Sequence, residues 1–148
     1  MVDTGSGFEC LELENQLCFP LYVCSKEIIR RYRPFLEELD LTYPQYITML
    51  ALWEYGEMSV KQLGSKVYLD SGTLTPLLNK LEDKGYVSRR RGEEDWKLVM
   101  ISLTDDGITL RERAKKVPES LGACIPLDQK DASELYRILR KLMADFGI

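Results

Sequence analysis

"SVKQLGSKVYLDSGTLTPLLNKLEDKGYVSRRRGEEDWKLVMISLT" (residues 59–104) changes its periodicity partway along, and that change decides the fold. Ser59 with Gln62 three residues later forms a capping box, which predicts a short helix to about Tyr68. Asp70 or Ser71 caps a second helix, with Leu74, Leu77, Leu78 and Leu81 on one face and a stop at Gly85. Two short helices joined by a tight turn read as a helix-turn-helix. The period then falls towards two. Val87-Ser88-Arg89 and Leu98-Val99-Met100-Ile101 read as strands, with the turn-prone "GEED" (92–95) between them. A β-hairpin directly after a helix-turn-helix predicts a winged helix.

Helical patterns flank this lobe on both sides. From Leu13 to Leu39, apolar residues recur every three or four positions, the stripe of an amphipathic helix. Pro20 predicts a kink, or a helix that begins there, and Pro34 predicts a break into a short second helix. "LTYPQYITMLALWEYG" predicts a helix capped by Thr42, with Pro44 in its first turn and Gly56 as its stop. Thr104 caps a further helix, Pro118 and Pro126 bracket a loop, and Asp128 caps a last helix striped by Leu135, Ile138, Leu139 and Leu142. The expectation is a mainly α fold with a small β-hairpin wing. Residues 1–12 are read as a flexible arm and 13–148 as one domain, with 42–104 as the winged lobe. The flanking helices (13–40 and 105–148) carry more apolar surface than that lobe can cover, which points to a homodimer.

Composition narrows the function. With 45% hydrophobic and 30% charged residues, the 148-residue chain is a folded globule with a core of ordinary size. No apolar run reaches membrane-spanning length, and "MVDTGSGFEC" lacks the features of a secretory signal, so a cytoplasmic location with reduced thiols is expected. The four cysteines show no CxxC spacing and there is no histidine, which argues against a metal site and against Ser-His or Cys-His catalysis. No cofactor is expected, and an enzyme is disfavoured.

Charge is unevenly spread. Residues 1–58 carry ten acids and four bases, 59–104 six acids and eight bases, and 105–148 eight of each. The winged lobe is thus the only net-basic third of an acidic chain, and it holds Arg89-Arg90-Arg91. Ser71, Thr73, Thr75 and Pro76 open the second helix of the lobe, and Asn79 and Lys80 follow one turn on. Short hydroxyls at an exposed helix start can meet phosphates and base edges, and the helix end itself favours phosphate. The same hydroxyls can equally do no more than satisfy the first helical turn. The adjacent hairpin favours the nucleic-acid reading.

The blocks "LENQLCF", "LTYPQY", "LDSGTLTPLL" with "KLE", and "EED" leading to "ISLT" occur in this order between about residues 13 and 104. In them the chain resembles the MarR family of transcription regulators, specifically its organic-hydroperoxide-sensing, OhrR-type branch. The resemblance implies a homodimeric repressor on a pseudo-palindromic double-stranded operator. It implies Cys18 as the peroxide-sensing thiol, with phenols at Tyr32 and Tyr43 of the partner and Tyr22 nearby stabilising the thiolate that attacks peroxide. Cys124 matches the resolving thiol of some members. Family wings carry Asp-x-Arg, whereas this chain has Asp95-Trp96-Lys97, so the wing contact is expected weakened at Lys97 or shifted to Arg89, Arg90 and Arg91. Cys24 reads as a packing residue and Cys10 as an arm thiol. Other expectations compete with the thiol switch: a repressor released by a reversible small ligand, a broader thiol-based virulence regulator, and a thiol peroxidase.

Overall fold

Two prolines decide how the first helix is built. In the computed structural model, which describes residues 7–148, helix α1 spans Cys18–Glu37. Pro20 is its third residue, where no N–H is needed for a helical bond. Pro34 does not break it, contrary to the sequence expectation, and the helix runs on to Glu37. The ring removes one helical hydrogen bond, but the following turn is fixed by burial of Leu36 and by the packing of α1 on its neighbours. After Glu37 the chain turns away at Asp40, which takes a left-handed φ of 53° while Leu41 N–H donates to Leu36 C=O at 3.0 Å. Of the arm expected over residues 1–12, residues 1–6 lie outside the described ones. Residues Glu9–Leu11 and Leu13–Asn15 form 3-10 turns, tied by Asn15 Nδ2 donating to Glu9 C=O and Gln16 Nε2 to Cys10 C=O, each at 2.7 Å.

Local capping chemistry places the next elements where the sequence put them. Helix α2 (Tyr43–Tyr55) has a full Thr42–Gln45 capping box and ends at Gly56, whose φ of 76° suits glycine. Helix α3 (Val60–Val67) is capped by Ser59 and Gln62, and α4 (Ser71–Asp83) by the Asp70 carboxylate, which accepts from Thr73 N–H at 2.8 Å. The α3–α4 turn is tight because Gly64 leaves room: a Cβ there would stand 2.8 Å from Leu69 C=O.

The sheet has three strands, not two. Strand β1 (Met58–Ser59) pairs antiparallel with β3 (Val99–Leu103), which pairs antiparallel with β2 (Val87–Arg91), in the order β1-β3-β2. Two residues are too short to show alternation, so β1 was not visible in the sequence. Helix α5 (Asp105–Ala114) is capped by Thr104, and α7 (Gln129–Asp145) by Asp128. Between them, α6 (Lys116–Gly122) contains Pro118 as its third residue, so that proline opens a helix where a loop was expected. The core is formed by Leu36, Met49, Leu52, Leu63, Leu74, Leu78, Leu81 and Ile101, all nearly or fully buried. Each contributes on the order of 1.5–3 kcal/mol by leaving water. Among the described residues no helix is long and apolar enough to cross a membrane.

Candidate nucleic-acid interface and thiol site

Helix α4 divides cleanly. Leu74, Leu77, Leu78 and Leu81 are buried, while Ser71, Thr73, Thr75, Pro76, Asn79 and Lys80 are all exposed on the opposite face. With the Asp70 carboxylate taking the Thr73 N–H, the threonine hydroxyls at this helix start remain available. A cleft of about 750 Å³ lies between α3, the start of α4 and the wing, and Ser71, Thr75, Arg89 and Lys97 are among its lining residues. The helix start and the hairpin therefore face one shared groove.

The arginine triplet is not three equivalent cations. Arg90 is clamped by Glu57, its Nε donating to the carboxylate at 3.0 Å and its Nη2 to the other oxygen, with Glu93 near by. Arg89 is half-buried. It donates to Asn79 Oδ1, and its Nε lies 3.7 Å from Glu82 Oε2. Arg91 is exposed and, like Lys80 and Lys97, forms no ion pair among the described residues. Asp95 is occupied in building the wing turn. Its carboxylate accepts from Lys97 N–H at 3.0 Å and its carbonyl from Leu98 N–H at 3.1 Å. Trp96 at the tip is 70% exposed.

Cys18 is the first residue of α1, and it is exposed; the helix has no side-chain cap, leaving backbone N–H groups at that end. Tyr32, Tyr43 and Tyr46 form a tilted aromatic cluster across α1 and α2, with ring centroids 4.9 Å (32–43), 5.8 Å (32–46) and 6.4 Å (43–46) apart. Burial, helped by the neighbouring phenols, pushes Tyr32 up to about 12, and burial raises Tyr43 and Tyr46 as well. All three phenols thus stay protonated and able to donate at neutral pH. Tyr46 was missed in the sequence, although its i+3 spacing from Tyr43 was the available signal. Tyr22 is exposed, with Lys26 Nζ 4.9 Å from its ring centre.

Within one chain these parts do not meet. Fourteen residues of helix separate Cys18 from Tyr32, a rise of roughly 21 Å over nearly four turns, so both stand on about the same face. Cys124, half-buried just beyond α6, offers its carbonyl to Arg31 Nη1 at 3.1 Å. Arg31 is about 20 Å along α1 from Cys18, too far for the ~4.4–6.8 Å Cα separation of a disulfide within one chain. Cys24 is exposed in the single chain.

The unpartnered faces are extensive. Helix α7 has no buried residue and no substantial packing against the other described residues, and Leu135, Ile138 and Leu139 are exposed along it. Leu17, Phe19, Leu21, Val23 and Ile29 are likewise exposed along the first part of the chain's α1 region.

Comparison with known proteins places this geometry. The family model described as transcriptional regulator SarA/Rot matches residues 30–114. The organic hydroperoxide resistance transcriptional regulator of Bacillus subtilis (strain 168) is 45% identical over 131 residues, 88% of this chain and 87% of its own. Reduced AbfR bound to DNA superposes with a TM-score of 0.79 at 33% identity, covering 94% of this chain and 95% of that one. Disulfide-formed AbfR superposes at 0.63 and 34% identity, covering 94% and 92%. AbfR is a protein of Staphylococcus epidermidis.

Proposed function

From the premise that the chain belongs to the MarR family of transcription regulators, in its organic-hydroperoxide-sensing branch, we propose a dimeric repressor that releases its operator when Cys18 is oxidised. The observation that carries the reading is the separation of parts. An exposed thiol at the start of α1 and a protonated tyrosine cluster lie about four turns along the same helix, and a second copy can join them. With two α1 helices packed antiparallel, Tyr32 and Tyr43 of one protomer donate towards Cys18 of the other. The uncovered stripes of α1 and α7 supply the interface.

The chemistry balances without a cofactor. The Cys18 thiolate attacks the distal oxygen of an organic hydroperoxide; the O–O bond breaks, the alcohol leaves, and Cys18 becomes a sulfenic acid. The Cys124 thiol of the other protomer then displaces water from that sulfenic acid, giving an inter-subunit disulfide. Such a bond draws α6 of one protomer towards α1 of its partner. Because the winged lobe hangs between the flanking helices, its spacing to the second lobe changes, and DNA is released.

In the DNA-bound state the α4 helices enter successive major grooves, roughly 34–36 Å apart. Ser71, Thr73, Thr75, Pro76, Asn79 and Lys80 face the groove, and Arg91 and Lys97 reach phosphates or the minor groove beside it. Arg89 and Asp95 belong to the same interface through the residues they hold in place.

Fluorescence anisotropy with the chain's own promoter segment, at fixed salt, tests this. Hydroperoxide is expected to weaken wild-type binding about a hundredfold, equal to about 2.7 kcal/mol, with dithiothreitol restoring it. Cys18→Ser is expected to bind and ignore the oxidant. Equal binding by both proteins throughout the titration rejects the thiol switch. A second reading rests on the groove of about 570 Å³ between α1 and the start of α2, where Lys26, Arg30 and Arg33 line it against one carboxylate, Glu37, beside Tyr43. Its cations suit an acidic small ligand, and on that reading Cys18→Ser still responds to inducer.

A further inference from the structure

We propose that Asn79 reads a hydrogen-bond acceptor on a major-groove base edge, and that Arg89 is the residue that imposes this choice. The inference rests on the DNA-binding reading above and goes beyond it to specificity.

The argument starts from donor and acceptor inventories. An asparagine amide has one face that accepts and one that donates, and a free one can use both on adenine, taking N6–H and giving to N7. A guanidinium has five donors and no acceptor. Arg89 donates to Asn79 from β2, so the amide must turn its oxygen towards Arg89. With the oxygen end of the amide turned towards β2, the Nδ2 donors are the part of Asn79 presented to DNA. On the major-groove edge these fit guanine N7 or O6, adenine N7, or thymine O4. They cannot take a hydrogen from adenine N6 or cytosine N4.

Arg89 is held in place to do this. It pairs across the sheet with buried Ile101, so its side chain leaves β2 on the face turned towards α4. Its Nε is shielded from solvent and has no hydrogen bond among the described residues, but stands 3.7 Å from the Glu82 carboxylate. Swinging the guanidinium out to a phosphate forfeits both the amide and the carboxylate contact. Arg91 and Lys97, like Lys80, form no ion pair among the described residues and are cations available to phosphate. Asn79 itself is exposed, two turns along α4 from Ser71 and one from Thr75, in the same i, i+4 row as these two cleft-lining residues. Arg89 is therefore a positioning residue, and Asn79 is the specificity residue it orients.

The test uses the full dimer and its own promoter segment, with single bases replaced in each half-site. The 7-deazapurines remove an acceptor at N7, 2-aminopurine in place of guanine removes the acceptor at O6, 4-thiothymine weakens the acceptor at position 4, and nebularine removes the donor at adenine N6. At one position per half-site, acceptor loss is expected to weaken wild-type binding roughly tenfold, while Asn79→Ala binds both operators equally. Donor loss should produce no penalty that depends on Asn79. Arg89→Met, which keeps the stem without a donor, should release the amide, so that nebularine now costs affinity at that position. Arg89→Lys, still donor-only, should keep the wild-type pattern, and thermal melts verify that both variants fold. An Asn79-dependent penalty from nebularine in the wild type overturns the inference, as does the absence of any Asn79-dependent position. If wild type binds the promoter segment no better than random duplex, the DNA reading itself is rejected and this inference with it.

Discussion

Gly107 shows how much a single residue can fix. Its N–H donates to Thr104 Oγ1 at 3.1 Å, and its carbonyl accepts from Trp53 Nε1 at 2.8 Å. A Cβ at this position would stand 2.1 Å from the backbone oxygen of Tyr86. That contact is backbone against backbone, so no rotamer change relieves it. Gly107→Ala should therefore part α5 from the Tyr86 backbone at the entry to β2 and lower stability by about 3 kcal/mol or more, read as a shift in urea midpoint. Tyr32 acts at the same scale through chemistry. Its phenol stays protonated and donates, so on the proposed mechanism Tyr32→Phe leaves the partner's Cys18 thiolate with one donor fewer. Alkylation of Cys18 by iodoacetamide near neutral pH should slow by roughly threefold to tenfold. An unchanged rate would remove Tyr32 from the thiol site.

Between elements, the α1–α2 seam ties stability to pH. The folded state holds the Tyr32 phenol at about 12, above the ~10 of an unfolded chain, because burial opposes the phenolate. A raised folded value means that stability is fully present below pH 10 and is lost as pH climbs from 10 towards 12. Tyr43 and Tyr46 shift in the same direction and add to the slope. Melting temperatures across that window should fall more steeply for wild type than for Tyr32→Phe. Element boundaries were legible in the sequence wherever a cap is local, as at Thr42, Ser59, Asp70, Thr104 and Asp128, because donor and acceptor lie within three residues. Legibility failed where tertiary contacts decide. Pro34 stays helical because Leu36 is buried beyond it, and β1 exists only because β3 pairs with it. The fates of Arg89 and Arg90 were hidden for the same reason. Their partners Asn79 and Glu57 lie 10 and 33 residues away and are brought close by the fold.

For the molecule as a whole, the question is what covers α7. A helix with no fully buried residue among the described ones gains little from propensity alone, and it is stabilised by whatever its apolar stripe meets. On the proposed dimer that partner is a second copy, and the symmetry of such an interface doubles every substitution made in it. Leu139→Asp removes an apolar side chain worth about 1.5–3 kcal/mol and places a carboxylate in the seam, on both protomers at once. The combined cost is about 5 kcal/mol, which raises the dimer dissociation constant on the order of a few thousandfold. Sedimentation velocity at micromolar protein should then show a monomer where wild type is dimeric. Operator affinity should fall with it, because one winged lobe engages one half-site. The residual binding should keep the same base preferences, since Arg89, Asn79 and the α4 face lie within a single chain. A Leu139→Asp protein that remains dimeric and holds its operator would place the interface elsewhere and break the proposed route from Cys18 to DNA.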